Sequence, residues 1–348
     1  AVPCAIRYSV ILGHLSTLLV RRTNYNMTYT FCTLFDKNYI YRGLALHNSL
    51  MNVGIEFGLY ILCLDSETFE VLTRLHMPNV TLLVLKDVED EEVLRAKENR
   101  SQVEYYWTLA SVLTYYVLEK YPAILHVAYL DSDIFFFSSP ESLYKELDGG
   151  SVLIIRHNYS PELRYLEKRS GIYNVGLVVF KNDQFGMACL AQWKADCLRW
   201  CYNRLEEGKF GDQMYLDSWP SSGRAVRVLQ NPGGGVAPWN VAQYALSNNS
   251  GVLTVDSGYP LVFFHFHTLR MVGPGHYVPH SKAYRFDPLV YTSIYEPYFA
   301  SLTKVIGIVQ SHFPDRAFGF VQPESMFSQL RNILKRCIVH LRFKLTSL

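Results

Sequence analysis

The sequence predicts an α/β protein with a mostly parallel central sheet. Short apolar runs rich in β-forming residues alternate with segments of helical spacing, as at residues 29–35 and 40–51. Another apolar run, residues 124–130, ends directly at two carboxylates. The length of 348 residues provides an ample core for one large α/β domain or two smaller ones.

Composition narrows the class of function. The formal net charge is +2, which gives no overall field for nucleic acid, so we expect no nucleic-acid partner. The seven cysteines are odd in number and none forms Cys-x-x-Cys, which favours a reduced, cytoplasmic location. Cys197 and Cys201 lie one helical turn apart, where core packing is a commoner role than metal binding. No apolar run reaches the length of a transmembrane helix.

The first half of the chain continues the alternation of strands and helices. Strands are predicted at residues 57–64 and 80–85, with an amphipathic helix over 67–75 between them. A charged surface helix over 87–100 and an apolar-faced helix over 102–119 then lead into the strand 124–130. The second half is predicted to contain a helix over 140–147, a strand over 152–155, an apolar strand ending at 180, and helices over 183–207 and 286–310.

Three regions are expected along the chain. Residues 1–27 do not fit the pattern that follows and are interpreted as an N-terminal extension, with membrane contact as the alternative. Residues 28–285 form the predicted catalytic domain, and residues 286–348 form a C-terminal helical region. Residues 325–348 contain no acid and interleave apolar with basic side chains. This pattern is typical of an amphipathic helix on an anionic lipid surface or packed on the domain with a basic outer face.

The chemistry of the sequence centres on Asp131-Ser132-Asp133, directly after the strand 124–130. In open α/β sheets, ligands bind just beyond the carboxyl ends of the strands. Two acids flanked by apolar segments repel each other unless a cation lies between them. Carboxylate oxygens at this spacing suit Mn²⁺ or Mg²⁺, above all an ion that also binds phosphate. The stretch therefore predicts a nucleotide-sugar site, and the alternative is a strand end followed by a solvated turn.

The segment from Tyr129 to Asp133 resembles the metal-binding motif of glycosyltransferases with the GT-A fold, a Rossmann-like nucleotide-diphospho-sugar transferase fold. Over residues 29–270 the chain is similar to the retaining glycosyltransferase family 8, which contains glycogenin and bacterial lipopolysaccharide galactosyltransferases, and to its uncharacterised bacterial relatives. The resemblance implies that Asp131 and Asp133 hold Mn²⁺ or Mg²⁺, and that Asp131 and Ser132 lie at the nucleotide sugar.

The segment from Thr33 to Tyr39 resembles the first nucleotide-binding segment of that family. The resemblance implies that Thr33, Asp36 and Tyr39 bind the nucleotide sugar, with a polar side chain at the uracil or ribose and an aromatic ring on the base. Stacking is chemically sensible because a planar base presents a π-face to tyrosine. The alternative for Asp36 is an ordinary helix N-cap.

Two further segments resemble the sugar-binding elements of the family. Asn174-Val-Gly176 precedes an apolar strand; an amide suits sugar hydroxyls, and a glycine permits close approach. The alternative is an asparagine in a turn before a buried strand. Asp212-Gln213 resembles a segment at a helix start that faces the sugar opposite the leaving group. An oxygen there can stabilise an oxocarbenium-like centre without bonding to it, and the alternative is an aspartate N-cap.

The last two segments complete the expected site. Trp239-Asn240 resembles a pocket-wall element, for which a structural role is the alternative. The strand ending at His265-Phe-His267 resembles the one that supplies the third metal ligand, and the aromatic after it favours His265. Both histidines lie on one face of a strand, so the role of His267 stays open. Thr268 stands where the family has a glycine, and Arg270 is the nearest cation for the departing diphosphate.

The expected function is a metal-dependent, retaining glycosyltransferase that moves a hexose from a UDP-sugar to a glycan, lipid-linked or protein acceptor, in polysaccharide biosynthesis. A location peripheral to the inner face of the membrane is expected if the basic tail binds lipid. One alternative is a sugar-1-phosphate nucleotidyltransferase, which needs a glycine-rich basic loop that the N-terminal part of the sequence lacks. The other is a non-catalytic carbohydrate-binding or scaffold protein, whose mark would be lost metal ligands.

Overall fold

The computed structural model describes residues 29–223, 225–249, 251–256, 258–279, 284 and 287–321. The expected extension at residues 1–27 and the basic segment at 325–348 lie outside the described residues.

A seven-stranded sheet forms the centre, with the strand order β3-β2-β1-β4-β7-β6-β8. Parallel pairs join β3 to β2, β2 to β1, β1 to β4 and β6 to β8, whereas β7 runs antiparallel to both β4 and β6. The prediction of a mostly parallel α/β sheet is therefore confirmed. The strands of this sheet are β1 Tyr29–Phe35, β2 Phe57–Cys63, β3 Val80–Val84, β4 His126–Leu130, β6 Val152–Arg156, β7 Tyr173–Lys181 and β8 Val226–Val228.

Both faces of the sheet are buried, and alternation along each strand divides its side chains between two cores. On β1, Phe31 and Phe35 face one core while Cys32 and Leu34 face the other. Helices on the two sides cover these cores. Because both faces of the strands are buried, their sequences are nearly continuous apolar runs. The α-helices are α1 Ile40–Asn52, α2 Ser66–Leu75, α3 Leu85–Val88, α4 Glu91–Glu98, α5 Gln102–Lys120, α6 Glu141–Glu146, α7 Glu167–Ser170, α8 Gln184–Arg199, α9 Pro288–Val290 and α10 Glu296–His312.

Three small sheets flank the central one. The pair β5 Ile134–Phe136 and β12 Phe263–His265 is antiparallel and lies beside the end of β4. The second small sheet is a hairpin of β13 Arg270–Gly273 and β14 His276–Val278. The third has three strands, β9 Leu246–Asn249, β10 Val252–Val255 and β11 Tyr259–Pro260. Short 3₁₀-helices lie at Lys37–Tyr39, Pro161–Leu166, Met214–Ser218, Pro220–Ser222 and Val241–Gln243, and a π-turn at Tyr291–Tyr295 leads into α10.

Two predicted helices differ from the structure. The helix predicted over 183–207 begins after Asp183, which caps it, but ends at Arg199 because Trp200 is extended. The Trp200 indole donates to Glu206, and this bond folds the following residues into a turn. The helix predicted over 87–100 is two short helices, because Asp90 caps a new helix in its middle. Asn174 lies inside β7 rather than in a turn before it.

The cysteines of the described residues are buried and unbridged, including Cys197 and Cys201, as the core interpretation predicts. Across the described residues, no helix combines the length and the apolar character needed to cross a membrane.

Candidate functional site

Strand pairing brings the predicted metal ligands together. A turn after β4, in which the Ile134 amide donates to the Asp131 carbonyl, reverses the chain into β5. Strand β12 pairs with β5 so that His265 lies opposite Ile134, the residue after Asp133. The amide of Phe266 donates to the Asp133 carbonyl and fixes this register. Residues more than 130 positions apart in sequence therefore meet at the carboxyl edge of the sheet.

Asp131, Asp133 and His265 form a ligand set that suits a divalent cation. One ligand atom from each lies within 4.8 Å of the others. His265 Nε2 is 3.0 Å from Asp133 Oδ1 and 3.6 Å from Asp131 Oδ2. The two carboxylate oxygens suit Mn²⁺ or Mg²⁺, the imidazole nitrogen favours Mn²⁺ of the two, and three protein ligands leave positions for ligand oxygens. His267 does not belong to this set.

The two carboxyl groups of the cluster differ in proton affinity. Burial favours the protonated form of Asp133, but the charge of His265 and its hydrogen bond outweigh burial and hold the pKa at about 2. Burial raises the pKa of Asp131, with repulsion from Asp133 adding to it. Burial lowers and the two carboxylates raise the pKa of His265, and the carboxylates prevail. The difference arises because His265 bonds Asp133 directly and lies farther from Asp131.

Gly176 makes room for the imidazole of His265. A Cβ atom at position 176 would lie 2.8 Å from His265 Nδ1 and 2.9 Å from Asn174 Oδ1. The carbonyl of Gly176 also accepts from the Asp131 amide at 3.0 Å. Absence of a side chain at this position on β7 is therefore a condition for the cluster.

A cavity of about 750 Å³ opens in front of the cluster. Among the described residues, its charged lining consists of four carboxylates and one guanidinium, from Asp36, Asp131, Asp133, Asp212 and Arg169. A second cavity of about 560 Å³ lies between α1, β5 and α10, and its lining includes no carboxylate. Of these two cavities, only the larger is lined by carboxylates among the described residues, and its size is typical of small-molecule sites.

One end of the cavity is formed by the turn between β1 and α1. Asp36 is buried and caps this turn, since its Oδ1 accepts from the Asn38 amide at 2.9 Å. Its Oδ2 lies 3.3 Å from the Tyr106 hydroxyl, which donates to it. Tyr39 lines the same end and is 42% exposed. The capping interpretation of Asp36 therefore holds, and the side chain also faces the cavity.

The opposite side carries the predicted sugar-facing residues. Burial, followed by repulsion from Asp131, raises the pKa of Asp212 to about 8. The Asp212 carbonyl accepts from the buried Trp193 indole at 2.9 Å, which fixes this segment to α8. Gln213 Nε2 donates to the Ser170 carbonyl at 2.6 Å. Asn174 lines the cavity, but its amide oxygen accepts from the Gly176 amide and its nitrogen donates to the Arg156 carbonyl.

Five other predicted residues are placed as follows. Ser132 and Trp239 line the cavity, and the Trp239 ring packs edge-to-face on His265 with ring centres 5.3 Å apart. Thr33 is buried within β1 and Asn240 is buried in the loop before the 3₁₀ turn at Val241–Gln243, where its side chain bonds three backbone groups. These two and Arg270, the first residue of β13, are not among the residues that line the cavity.

Several cavity residues were missed by sequence reasoning. The start of α5 contributes Gln102, Tyr106 and Trp107, and the loop after β6 contributes His157 and Tyr159. For α5 the sequence contained a signal, because Gln102 and Tyr106 are one helical turn apart and two polar side chains therefore lie on the same face of the helix. For His157 no local signal existed, because its position depends on Trp239 Nε1, which donates to the His157 carbonyl from 82 residues away.

Comparison with known proteins gives relatives and a fold. No family model matches the chain. The chain is 32% identical over 310 residues to the uncharacterized protein YfnD of Bacillus subtilis (strain 168), covering 87% of this chain and 99% of YfnD. It is 35% identical over 252 residues to the uncharacterized protein YfnF of the same strain, covering 71% of this chain and 83% of YfnF.

The solved structure of the galactosyltransferase LgtC in complex with donor and acceptor sugar analogs superimposes on the chain with a TM-score of 0.51. The alignment covers 79% of this chain and 95% of LgtC at 14% sequence identity. At this identity the likeness shows the fold alone, which is GT-A. The predicted fold is thus confirmed, and the chain belongs to the family of the Bacillus subtilis proteins YfnD and YfnF.

Proposed function

We propose that the protein is a metal-dependent, retaining glycosyltransferase that moves a hexose from a UDP-sugar to a glycan, lipid-linked or protein acceptor. The observation that carries the proposal is the Asp131, Asp133 and His265 cluster at the carboxyl edge of the sheet, facing a cavity of about 750 Å³. The reaction converts a nucleotide sugar and an acceptor hydroxyl into a glycoside, a nucleoside diphosphate and a proton.

Asp131, Asp133 and His265 would hold Mn²⁺ or Mg²⁺. The bound ion would supply Lewis-acid stabilisation for the diphosphate and a template for its orientation. The protein's own contribution begins with His265, which must lose its proton to bind a metal and is fixed by the ring of Trp239. Gly176 keeps the space that this imidazole needs.

At the nucleoside end, Asp36 offers a carboxylate oxygen to a ribose or base, and the ring of Tyr39 offers a face to the base. The carboxyl of Asp36 is oriented before any ligand binds, because it accepts from the Asn38 amide and from Tyr106. Pre-oriented polar groups cost little reorganisation when the ligand arrives.

At the sugar end, Asp212 and Gln213 line the cavity. With a pKa of about 8, raised first by burial, Asp212 holds its proton at neutral pH and can donate to a sugar hydroxyl. Gln213 is oriented by its donation to Ser170, so its amide oxygen is free to stabilise positive charge at the anomeric carbon. Retention of configuration requires the acceptor hydroxyl to attack from the face that the diphosphate leaves, while Gln213 lies on the opposite face of the sugar.

The deciding experiment is hydrolysis of donors. The protein is incubated with a panel of UDP-, GDP- and ADP-sugars and Mn²⁺, and free nucleoside diphosphate is measured. We expect release from one UDP-hexose, abolished by Asp133→Ala. Binding of a nucleoside triphosphate without any release from nucleotide sugars would favour a nucleotidyltransferase instead. Absence of release, together with absence of any thermal shift from UDP and Mn²⁺, would contradict the proposal.

The acceptor and the cellular site are further parts of the proposal. The basic, acid-free segment at residues 325–348 supports contact with an anionic lipid surface, where a lipid-linked acceptor would be met. Co-sedimentation with vesicles that contain anionic lipid, compared with neutral vesicles, tests this part. Equal recovery with both vesicle types would remove the membrane contact from the proposal and leave the transfer reaction in place.

A further inference from the structure

Arg42 is a buried cation beside the cavity to which the proposed reaction assigns no role. It lies in the first turns of α1 and is only 6% exposed. Its guanidinium donates to two backbone carbonyls, that of Leu269 at 2.9 Å and that of Asn38 at 3.2 Å. Among the described residues, Arg42 makes no ion pair with a carboxylate within 4.0 Å, and its charge acts only at longer range on Asp133, whose pKa it lowers after the larger effects of His265 and His267. Burial of a long charged side chain on such partners is costly, so its position needs a reason.

The two carbonyls belong to different walls of the site. Asn38 lies in the turn that follows β1 and forms the nucleoside end of the cavity. Leu269 lies two residues after His267 and four after the metal ligand His265, in the segment that leaves β12. Arg42 therefore ties the nucleoside end to the segment that carries the histidines, across 227 residues of sequence.

Arg42 also covers one face of Tyr39. The guanidinium carbon lies 4.4 Å from the centre of the Tyr39 ring, one helical turn earlier in the chain. A planar cation over a ring face is attracted by the ring quadrupole, and this contact restrains the ring. Tyr39 remains 42% exposed and lines the cavity, so a planar ligand can still reach the ring.

We propose that Arg42 is a positioning residue that holds the Tyr39 ring as the platform for a nucleobase and locks this platform to the segment after β12. The inference rests on the proposed function, because it assumes a nucleotide ligand. The inference assigns the two parts of the ligand to different groups of the protein. Arg42 acts on the base through Tyr39, whereas the diphosphate is held by the metal cluster. Loss of Arg42 therefore weakens ligands that contain a base and spares those that do not.

The test compares two ligands in two Arg42 variants. Calorimetry measures the Kd of UDP and of inorganic pyrophosphate, each with Mg²⁺, for wild type, Arg42→Lys and Arg42→Met. Lysine keeps the positive charge but cannot reach two carbonyls while stacking flat on a ring. We expect both variants to raise the Kd of UDP about tenfold, which is a loss of about 1.4 kcal/mol of binding free energy. The Kd of pyrophosphate should change less than about twofold, because pyrophosphate has no base.

Two further variants distinguish a positioning role of Arg42 from a general loss of folding. Tyr39→Leu removes the platform and leaves Arg42, and we expect the same loss of UDP affinity, with no further loss in the double variant Arg42→Met/Tyr39→Leu. Arg74→Met is the matched control, because Arg74 also stacks on an aromatic ring, Phe313, outside the cavity. It should leave the Kd of UDP unchanged. In donor hydrolysis, Arg42→Lys should raise KM for the UDP-sugar and leave kcat near the wild-type value.

Two results would overturn the inference while leaving the proposed function intact. In the first, Arg42→Met weakens UDP and pyrophosphate equally and Arg42→Lys restores both, which would make Arg42 a charge for the diphosphate. In the second, melting temperatures fall but the Kd of UDP stays unchanged, which would make Arg42 purely structural. If wild-type protein binds neither UDP nor pyrophosphate, the proposed function fails and this inference fails with it.

Discussion

Gly176 is the residue at which the backbone most directly limits the metal cluster. A Cβ atom there would lie 2.8 Å from His265 Nδ1. We therefore expect Gly176→Ala to displace the imidazole and to weaken Mn²⁺ binding at least about tenfold, or about 1.4 kcal/mol. Titration of free Mn²⁺ by electron paramagnetic resonance measures the affinity. Gly307→Ala is the matched control, because a Cβ atom at Gly307 would have no neighbour within 4 Å.

Unchanged Mn²⁺ affinity in folded Gly176→Ala would mean that His265 can move aside without leaving the ligand set. A folded variant that has lost Mn²⁺ binding, with Gly307→Ala unaffected, would tie the affinity to the space at position 176. Circular dichroism on both variants separates this result from a general loss of structure.

His157 is a buried histidine whose titration should affect stability at acid pH. Burial lowers the pKa of His157 to about 3, and its Nδ1 has no partner among the described residues. Between about pH 6.5 and pH 3 the unfolded chain binds a proton at this residue and the folded chain does not. The free energy of unfolding therefore falls as pH falls through this window, by about 1.4 kcal/mol per pH unit from this group alone.

In His157→Gln this contribution is absent, so its unfolding free energy should fall less steeply than that of wild type between pH 6 and pH 4. Urea unfolding at several pH values measures the two slopes. Superimposable pH profiles of wild type and variant would show that His157 is protonated in the folded protein, against the burial argument.

At the residue scale, sequence reasoning reached the residues whose signal is local. Asp131 and Asp133 follow a strand directly, and His265 ends another strand. Arg42 and His157 carried no such signal. Arg42 donates to the backbone carbonyl of Leu269, and the backbone carbonyl of His157 accepts from the side chain of Trp239, so both bonds join residues far apart in sequence. Neither contact leaves a pattern among neighbouring residues.

At the element scale, the segment after α10 returns to the turn before α1. Gly319 has a φ of +64°, and a Cβ atom there would lie 2.1 Å from the Asn38 carbonyl oxygen. Both the backbone conformation and the close approach exclude a side chain. We expect Gly319→Ala to lower the free energy of unfolding by about 2–3 kcal/mol, because strain and overlap act together.

Gly54→Ala separates the two causes. Gly54 has a φ of +68°, but a Cβ atom there would have no neighbour within 4 Å. This variant should lose only about 1 kcal/mol, the cost of the left-handed conformation. Urea unfolding measures both variants, and equal losses would mean that the packing of the segment on Asn38 contributes nothing to stability.

The helices show which helix ends can be predicted from the sequence. Helix α1 was predicted within one residue of its observed end, because an aspartate-capped turn precedes an apolar-faced segment. The helix predicted over 183–207 was too long, because apolar spacing continues past Arg199 while the chain does not. Trp200 and Glu206 meet through a side-chain bond that ends the helix, and periodicity contains no information about such a bond.

At the scale of the whole molecule, the parallel strand β4 and the later strand β12 converge on one edge. The alternation of strands and helices predicts the parallel part of the sheet. It does not predict the antiparallel β7 or the pairing of β5 with β12, because each is made by segments distant in sequence. The cluster nevertheless forms at the predicted edge, because Asp131 and Asp133 directly follow the parallel strand β4 and the pairing of β12 with β5 brings His265 to them.

Convergence of elements on one cavity predicts linkage between metal and nucleotide. The proposed metal ligands come from the ends of β4 and β12, and the proposed nucleoside end comes from the turn before α1 and from α5. A UDP molecule that contacts the metal and both ends should bind more tightly with Mn²⁺ than without it. By linkage, Mn²⁺ must then bind more tightly with UDP by the same factor.

We expect Mn²⁺ to lower the Kd of UDP at least about tenfold, a coupling of about 1.4 kcal/mol or more. At 100 times its Kd, UDP with Mn²⁺ should add about 2.7 kcal/mol to the unfolding free energy of the protein. Calorimetry with and without Mn²⁺ measures the coupling, and thermal unfolding measures the stabilisation. Asp133→Asn should remove the effect of Mn²⁺ and leave the weaker, metal-free binding of UDP, because the nucleoside end is intact. Equal Kd values for UDP with and without Mn²⁺ in wild type would mean that UDP binds independently of the metal cluster, and would contradict a diphosphate held by the metal.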